Sequence, residues 1–199
     1  MKKFFLFFVF SAGFFSAQEF TNENGVDKFV QVMEVNKSKI DIYKSLKLFL
    51  NQSVNKTKFV LDLDDEANGI ISFNEHMEPK LVSEYEKGEP NYKVTIEIKE
   101  NKFRYTASPI NIDENLMGMK LQRTMTEFAE SKTNDSLIRE KEDALKNEKK
   151  EKKIVHLNLA ISELKAAKDA RSKLVEMVKD QLKANVLFVK QVIEKRDEW

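Results

Sequence analysis

Residues 91–109, NYKVTIEIKENKFRYTASP, contain two runs of alternating apolar and polar residues on either side of Glu100-Asn101. Alternation with a period of two is typical of a strand with one buried face, and two such runs around a short loop predict an antiparallel hairpin. The predicted register brings apolar residues together in four pairs: Ile98–Phe103, Ile96–Tyr105, Val94–Ala107 and Tyr92–Pro109. The other face pairs Glu97 with Arg104, so we expect a sheet with one apolar and one polar side.

The chain before this hairpin predicts further strands and a helix that covers them. Phe29 to Val35 is rich in β-forming residues, and the apolar runs at Phe59–Leu63 and Ile70–Phe73 flank a polar turn. Ser38 is a suitable N-cap for a helix with an apolar stripe formed by Ile42, Tyr43, Leu46, Phe49 and Leu50. The predicted fold class is α+β: an antiparallel sheet of about five strands with a helix on one face, followed by a long C-terminal helical extension.

Several short motifs lie at the ends of these elements. They are Ser38-Lys39 followed by Ile42-Tyr43, then Asp64-x-Glu66 leading to Gly69-x-Ile71, and then the strands Val94 to Lys99 and Lys102 to Tyr105. Over about residues 27–110 the chain resembles a family of exported bacterial domains of unknown function with a TATA-binding-protein-like fold. The resemblance implies a five-stranded antiparallel sheet with a helix on one face, and it implies no activity. A fold shared with a DNA-binding protein is no argument for DNA binding.

The first 17 residues, MKKFFLFFVFSAGFFSA, have the layout of an export signal. Lys2 and Lys3 are followed by an apolar run, and Ser16-Ala17 is a small-residue pair directly before Gln18. The apolar run is too short to span a bilayer, which needs about 20 residues. We therefore expect an exported protein, periplasmic or secreted, that begins at Gln18 and has no transmembrane segment after cleavage.

Composition divides the mature chain near residues 109–118, because all three prolines precede residue 110 and no Gly or Pro follows Gly118. The predicted organisation has five parts: a signal peptide at 1–17, an N-terminal linker at 18–26, a small α+β domain at 27–112, a packing helix at 113–132 that Asp113 caps, and a charged long-helix or coiled-coil-like extension at 133–199. An apolar stripe runs from Leu174 to Ile193. We expect it to bind a protein partner or a second copy, because the charged tract at 139–153 should hold the helix away from the domain.

The mature chain has 32 basic and 33 acidic residues, so it lacks the basic excess that favours nucleic acid. It has no Cys, which excludes a thiol nucleophile. It has only two His, His76 and His156, which argues against a His-based triad or a His-rich metal site. The sequence also contains no Gly-rich phosphate loop. We predict no cofactor and no catalytic residues.

One segment suggests calcium as an alternative. Asp64 to Glu75 resembles an EF-hand loop, with Asp64 at its first position, Glu66 at the third, Asn68 at the fifth, Gly69 at the sixth and Glu75 at the last. The preceding residues resemble a strand, however, and Pro79 interrupts any outgoing helix. We therefore favour a strand-turn-strand in which these acids are turn residues.

A carboxylate-dependent hydrolase is the second alternative, since Asp62, Asp64, Glu97 and Glu100 could supply a pair of carboxylates. A third of the chain is charged, so such pairs also occur by chance. The function that the sequence favours is a non-enzymatic exported binding or interaction module of the bacterial cell envelope.

Overall fold

The computed structural model describes residues 18–54, 60–130 and 132–195, and the predicted signal peptide lies outside these ranges. The described residues form eight strands and four helices: β1 (Gln18–Glu23), β2 (Val26–Glu34), α1 (Lys39–Val54), β3 (Val60–Asp65), β4 (Ile70–His76), β5 (Lys80–Ser83), β6 (Glu86–Lys99), β7 (Lys102–Leu116), β8 (Met119–Thr124), α2 (Met125–Glu130), α3 (Lys132–Asn147) and α4 (Glu151–Glu194). The strands make one antiparallel sheet in the order β1-β2-β7-β6-β4-β3, with β5 also paired to β6 and β8 to β7.

The hairpin of β6 and β7 forms the centre of this sheet, and most of its predicted register is confirmed. Ile98, Ile96 and Val94 lie opposite Phe103, Tyr105 and Ala107 as expected, and Asn101 adopts a positive φ of 59° in the loop. The outermost predicted pair is wrong, because Tyr92 lies opposite Ile110 instead of Pro109. Pro109 has no N–H to donate to the ladder, and the strands shift register beside it.

One face of the sheet holds the core. Phe29, Ile71, Ile96 and Ile112 point toward the helices and are fully buried together with stripes from α1 and α4. The two helices also touch each other, with the rings of Phe49 and Phe188 5.3 Å apart. The predicted α+β class, with an antiparallel sheet and a long C-terminal helix, is therefore confirmed.

The sheet is larger than predicted, with eight strands in the described residues instead of about five. The predicted linker at 18–26 is instead β1, a tight turn at Asn24-Gly25 and the start of β2. Phe20 anchors β1, because its ring lies 4.6 Å from that of Phe29. The polar sequence around Phe20 is that of a sheet edge, where half of each strand faces water.

The packing helix predicted for 113–132 is also wrong over most of its length. Asp113 lies in β7, which continues to Leu116 and turns back as β8, and of residues 113–130 only Met125–Glu130 is helical. Asp27 of β2 caps α2: its carboxylate accepts hydrogen bonds of 2.6 Å from both the backbone N–H and the hydroxyl of Thr126. Asp27 lies 99 residues from Thr126 in the sequence, so a pattern within one segment cannot predict this cap.

The region predicted as one extension contains two antiparallel helices, α3 and α4, joined by residues 148–150. The Leu174 to Ile193 stripe of α4 is buried against the chain's own sheet and α1, so the expectation that it is held away from the domain is wrong. Gly88 of β6 allows this close approach, since a Cβ there would lie 2.8 Å from Leu174. In the described part of the chain, no helix has the length and apolar character needed to cross a membrane.

Candidate functional site

The motifs that carry the family resemblance meet at one corner of the fold. Ser38 caps α1, since its hydroxyl accepts a 3.2 Å hydrogen bond from the backbone N–H of Asp41. Lys39 donates from its ammonium to the Ala67 carbonyl at 2.9 Å and from its backbone N–H to Glu100 at 3.0 Å. The corner thus ties α1 to the β3–β4 turn and to the β6–β7 loop. These hydrogen bonds join parts of the protein to one another, which indicates a structural role for the corner.

The candidate calcium ligands are not brought together. The favoured strand-turn-strand is observed, with β3 and β4 joined across residues 66–69. Asp64 is bound by the Tyr43 hydroxyl and the Lys47 ammonium, and Asn68 donates to Asp65 at 2.7 Å through its side chain. Glu66 is exposed in the turn. Asp64 pairs with Ile71, and Glu75 lies about 13 Å further along β4 at about 3.3 Å per residue.

Glu75 instead belongs to a partly buried polar cluster between the sheet and α4. Asn185 of α4 donates 3.2 Å hydrogen bonds to both carboxylate oxygens of Glu75 and to the Tyr92 hydroxyl. Burial raises the pKa of Glu75 above its ordinary value, although the hydrogen bonds from Asn185 and Tyr92 act in the opposite direction. The pKa of Tyr105 is also raised, first by burial and then by the charge of Glu75. The Tyr105 hydroxyl is buried and has no hydrogen-bond partner among the described residues.

The carboxylates considered for a hydrolase each have a separate partner. Asp62 pairs with Lys93, Glu97 with Arg104 at 2.9 Å, and Glu100 accepts from Lys39. The hydrogen bond from Lys93 lowers the pKa of Asp62, so that this group stays ionised at neutral pH. A general acid would need the opposite shift.

A second buried cluster was not predicted from the sequence. Arg171 of α4 binds both carboxylate oxygens of Glu86 at 2.6 Å and approaches Glu114 at 3.4 Å, while Arg123 binds Glu114 at 2.6 Å. The Arg171 guanidinium also lies 5.6 Å from the centre of the Phe128 ring. The two carboxylates are balanced by two arginines, and the cluster fastens α4 to β6 and β7.

Within residues 18–54, 60–130 and 132–195, no helix covers the sheet face opposite α1 and α4, and we call it the open face. Its central row crosses four strands through Val30, Thr106, Thr95 and Ser72, and the next row pairs Glu97 with Arg104. A shallow hollow of about 690 Å³ lies on this face and is lined mainly by hydroxyl-bearing and charged side chains from β1, β2, β6 and β7. The sequence predicted a polar face, but not that β1 would widen it.

Comparison with known proteins supports the fold. A crystal structure of a TBP-like protein from Parabacteroides distasonis ATCC 8503 is 15% identical in sequence, with a TM-score of 0.51, and the match covers 85% of this chain and 95% of that one. A DUF4468 family protein from Bacteroides ovatus ATCC 8483 is also 15% identical, with a TM-score of 0.51 and coverage of 90% and 93%.

No curated protein matches the chain. Residues 29–113, from β2 to the second half of β7, match a family profile. The matched segment includes α1, the β3–β4 turn and the central hairpin, which meet at the corner described above. The family that this segment matches is described as "Domain of unknown function (DUF4468) with TBP-like fold".

Proposed function

We propose that the protein is an exported, non-enzymatic binding module of the cell envelope, and that its open face contacts a protein partner. The observation that carries this proposal is the open face itself. The helices of the described residues bury one side of the sheet, and none of them packs on the other side. A sheet of this size with one uncovered, hydroxyl-rich face can contact a protein partner along its whole width.

The chemistry of the hollow favours a protein over a small molecule. Small-molecule sites are enclosed and mostly apolar, whereas this hollow is shallow and lined by Thr95, Thr106, Glu97, Arg104 and Lys28. Threonine hydroxyls donate and accept hydrogen bonds, and charges of both signs stand close together. Such a surface matches the polar surface of another protein, in which both signs also occur.

Two observations support a non-enzymatic role. The carboxylates on the open face are held in ion pairs, Glu97 with Arg104 and Asp62 with Lys93. The clusters around Glu75 and Arg171 lie on the opposite side of the sheet, under α4, where they contact the protein's own helix. Support for export comes from the sequence of residues 1–17 alone.

Site-specific photocrosslinking in the native envelope tests the binding surface. A photoreactive residue at position 106, on the open face, should give one discrete adduct, and Thr95→Arg in the same chain should abolish it. The matched control places the same group at position 44, on the exposed side of α1, where no adduct is expected. An adduct from position 44 that equals the one from position 106 would contradict the assignment of the surface.

Export is tested separately by the intact mass of the protein recovered from the envelope fraction. The expected species begins at Gln18. A protein that retains Met1 would contradict export and would leave the open face as the candidate surface of a protein in another compartment.

A further inference from the structure

Charge is divided unequally between the two parts of the chain. Residues 18–131 contain 15 basic and 20 acidic residues, and residues 132–199 contain 17 basic and 13 acidic ones. The formal charges of the two parts are therefore −5 and +4. Charge asymmetry of this kind suggests contact with a charged surface, even when the whole chain is nearly neutral.

The positive charge is concentrated where α3 and α4 meet. We call α3 together with residues 151–168 the helical arm, and residues 146–153 the arm tip. The arm tip has five lysines and two glutamates. Glu148 is engaged locally, because it accepts hydrogen bonds of 2.9 Å from the backbone N–H groups of Lys149 and Lys150 and pairs with Lys153. In the described ranges, the side chains of Lys149, Lys150 and Lys152 form no ion pair.

The arm holds this tip away from the acidic domain. Its helices are joined by the ion pairs Lys165–Glu142 and Lys168–Asp135, at 2.8 and 2.7 Å, and its buried residues Ile138 and Ile161 lie outside the main core. The tip lies about 30 Å along α4 from Arg171, where the helix is bound to the sheet, at 1.5 Å per residue. This distance exceeds the Debye length of about 8 Å at physiological salt, so the domain does not cancel the field of the tip.

Two exposed aliphatic side chains follow the lysines. Val155 is 62% exposed and Leu159 is 56% exposed. Lys152, Val155 and Leu159 are spaced three and four residues apart, which places them on one side of α4. Segments that lie on membrane surfaces combine basic side chains with exposed apolar side chains that enter the boundary between headgroups and acyl chains.

We propose that the arm tip docks on a bilayer surface that contains anionic phospholipid. The ammonium groups of Lys149, Lys150 and Lys152 contact the lipid phosphates, and Val155 and Leu159 contact the boundary between headgroups and acyl chains. The arm then lies along the membrane surface, and Arg171, where α4 is bound to the sheet, is about 30 Å from the tip along the helix. This inference does not depend on the partner proposed for the open face.

Vesicle co-sedimentation of the full chain tests the proposal. The chain should bind vesicles of equal parts phosphatidylglycerol and phosphatidylcholine, should not bind pure phosphatidylcholine, and should be released as salt is raised. The triple variant Lys149→Gln/Lys150→Gln/Lys152→Gln should bind about a hundredfold more weakly, since each lysine contributes about a fivefold factor. Val155→Ser/Leu159→Ser should weaken binding without changing its salt dependence.

The matched control is Lys44→Gln/Lys87→Gln/Lys173→Gln, which removes the same charge from exposed positions outside the tip. It should bind vesicles like the unmodified chain, and circular dichroism should show the same helix content for both triple variants. Equal losses in the two variants, or no binding of the unmodified chain to anionic vesicles, would overturn the proposal. A dimer that forms without vesicles and is lost in the tip variant would instead assign the tip to the acidic domain of a second copy.

Discussion

Arg171 of α4 and Glu86 of β6 form a two-point ion pair across the interface between the long helix and the sheet, with both N–O distances at 2.6 Å. The residues are 4% and 3% exposed, so the pair is shielded from water and salt. Because Arg171 lies where the helical arm joins the domain, this pair sets the position of α4 along the sheet.

Replacing Arg171 should therefore destabilise the fold strongly. Arg171→Met leaves the Glu86 carboxylate buried without its cation, which costs about 3–5 kcal/mol of unfolding free energy. The double variant Arg171→Met/Glu86→Leu should recover much of this loss, because no unpaired charge remains. Lys165→Met, which breaks an exposed pair with Glu142, should cost less than about 1 kcal/mol. Urea unfolding compares all three variants, and similar costs for the two single changes would refute the importance of the buried pair.

The two faces of the central hairpin should respond differently to substitution. Ile96 is 1% exposed and Glu97 lies on the open face. Ile96→Asp should lower the unfolding free energy by roughly several kcal/mol, because it buries a charge that has no partner. Glu97→Ala should lower it by less than about 1 kcal/mol, because the ion pair that it removes is exposed. Equal shifts of the urea midpoint for the two variants would show that the faces are assigned wrongly.

Glu75 should make the stability depend on pH. Its pKa is raised in the folded protein, so the folded state holds the proton more tightly than the unfolded chain. Protonated Glu75 stabilises the folded state. This stabilisation is complete below the pKa of the unfolded chain, about 4.3 for glutamate, and is lost as the pH rises through the higher pKa of the folded state. Glu75→Gln should raise the unfolding free energy at neutral pH and flatten this part of the profile, because the uncharged amide carries no burial cost of an ionised group.

The control for this prediction is Glu78→Gln, at an exposed position close in sequence. Thermal unfolding followed between acidic and neutral pH gives the profiles of both variants. A Glu75→Gln profile that matches the unmodified protein would show that the carboxylate is hydrated in the folded state.

Removing the C-terminal helices should unfold the domain. A chain that ends at Thr133 lacks the six α4 side chains Leu174, Val178, Leu182, Val186, Val189 and Ile193, which cover the sheet. Each contributes about 1.5–3 kcal/mol of burial, which together matches or exceeds a typical stability of about 5–15 kcal/mol. Replacing only residues 137–165 with a short Gly-Ser linker should leave the domain folded. Circular dichroism and gel filtration of both chains decide this, and a folded 18–133 fragment would contradict it.

Calcium should not bind the Asp64 to Glu75 segment. Asp64 already binds Lys47, and Glu75 is bound by Asn185 under α4, so neither carboxylate can join a common shell without breaking these contacts. Calorimetry with millimolar calcium should give no saturable heat. A saturable heat that Glu75→Gln abolishes would make this segment a metal site.

The sequence predicts those parts of the fold in which local pattern and tertiary environment agree. The alternation in β6 and β7 and the stripe of α1 are local patterns, and both elements occur as predicted. The end of β7 is different, because Asp113, Glu114 and Asn115 have the composition of a helix start. Glu114 is 2% exposed in a strand, since Arg123 and Arg171 neutralise it.

Dependence on tertiary contacts also explains which interactions of the candidate sites the sequence does not predict. The alternative calcium loop places Glu75 at its last position, yet the partner of this residue, Asn185, lies 110 residues away. The partners of Glu86 and Asp27 are 85 and 99 residues distant. No spacing rule within one segment can detect pairs that only the packing of α4 and α2 creates.

Because α4 follows every strand of the sheet in the chain, it determines when the fold can be completed. The sheet is composed of residues 18–124, but the helix that covers its apolar face ends at residue 194. A chain synthesised from its N-terminus leaves this face open to water until α4 has been made. Completion depends on contacts between residues far apart in the sequence, which slows folding. The sheet should therefore complete its core only after residue 194 has left the ribosome.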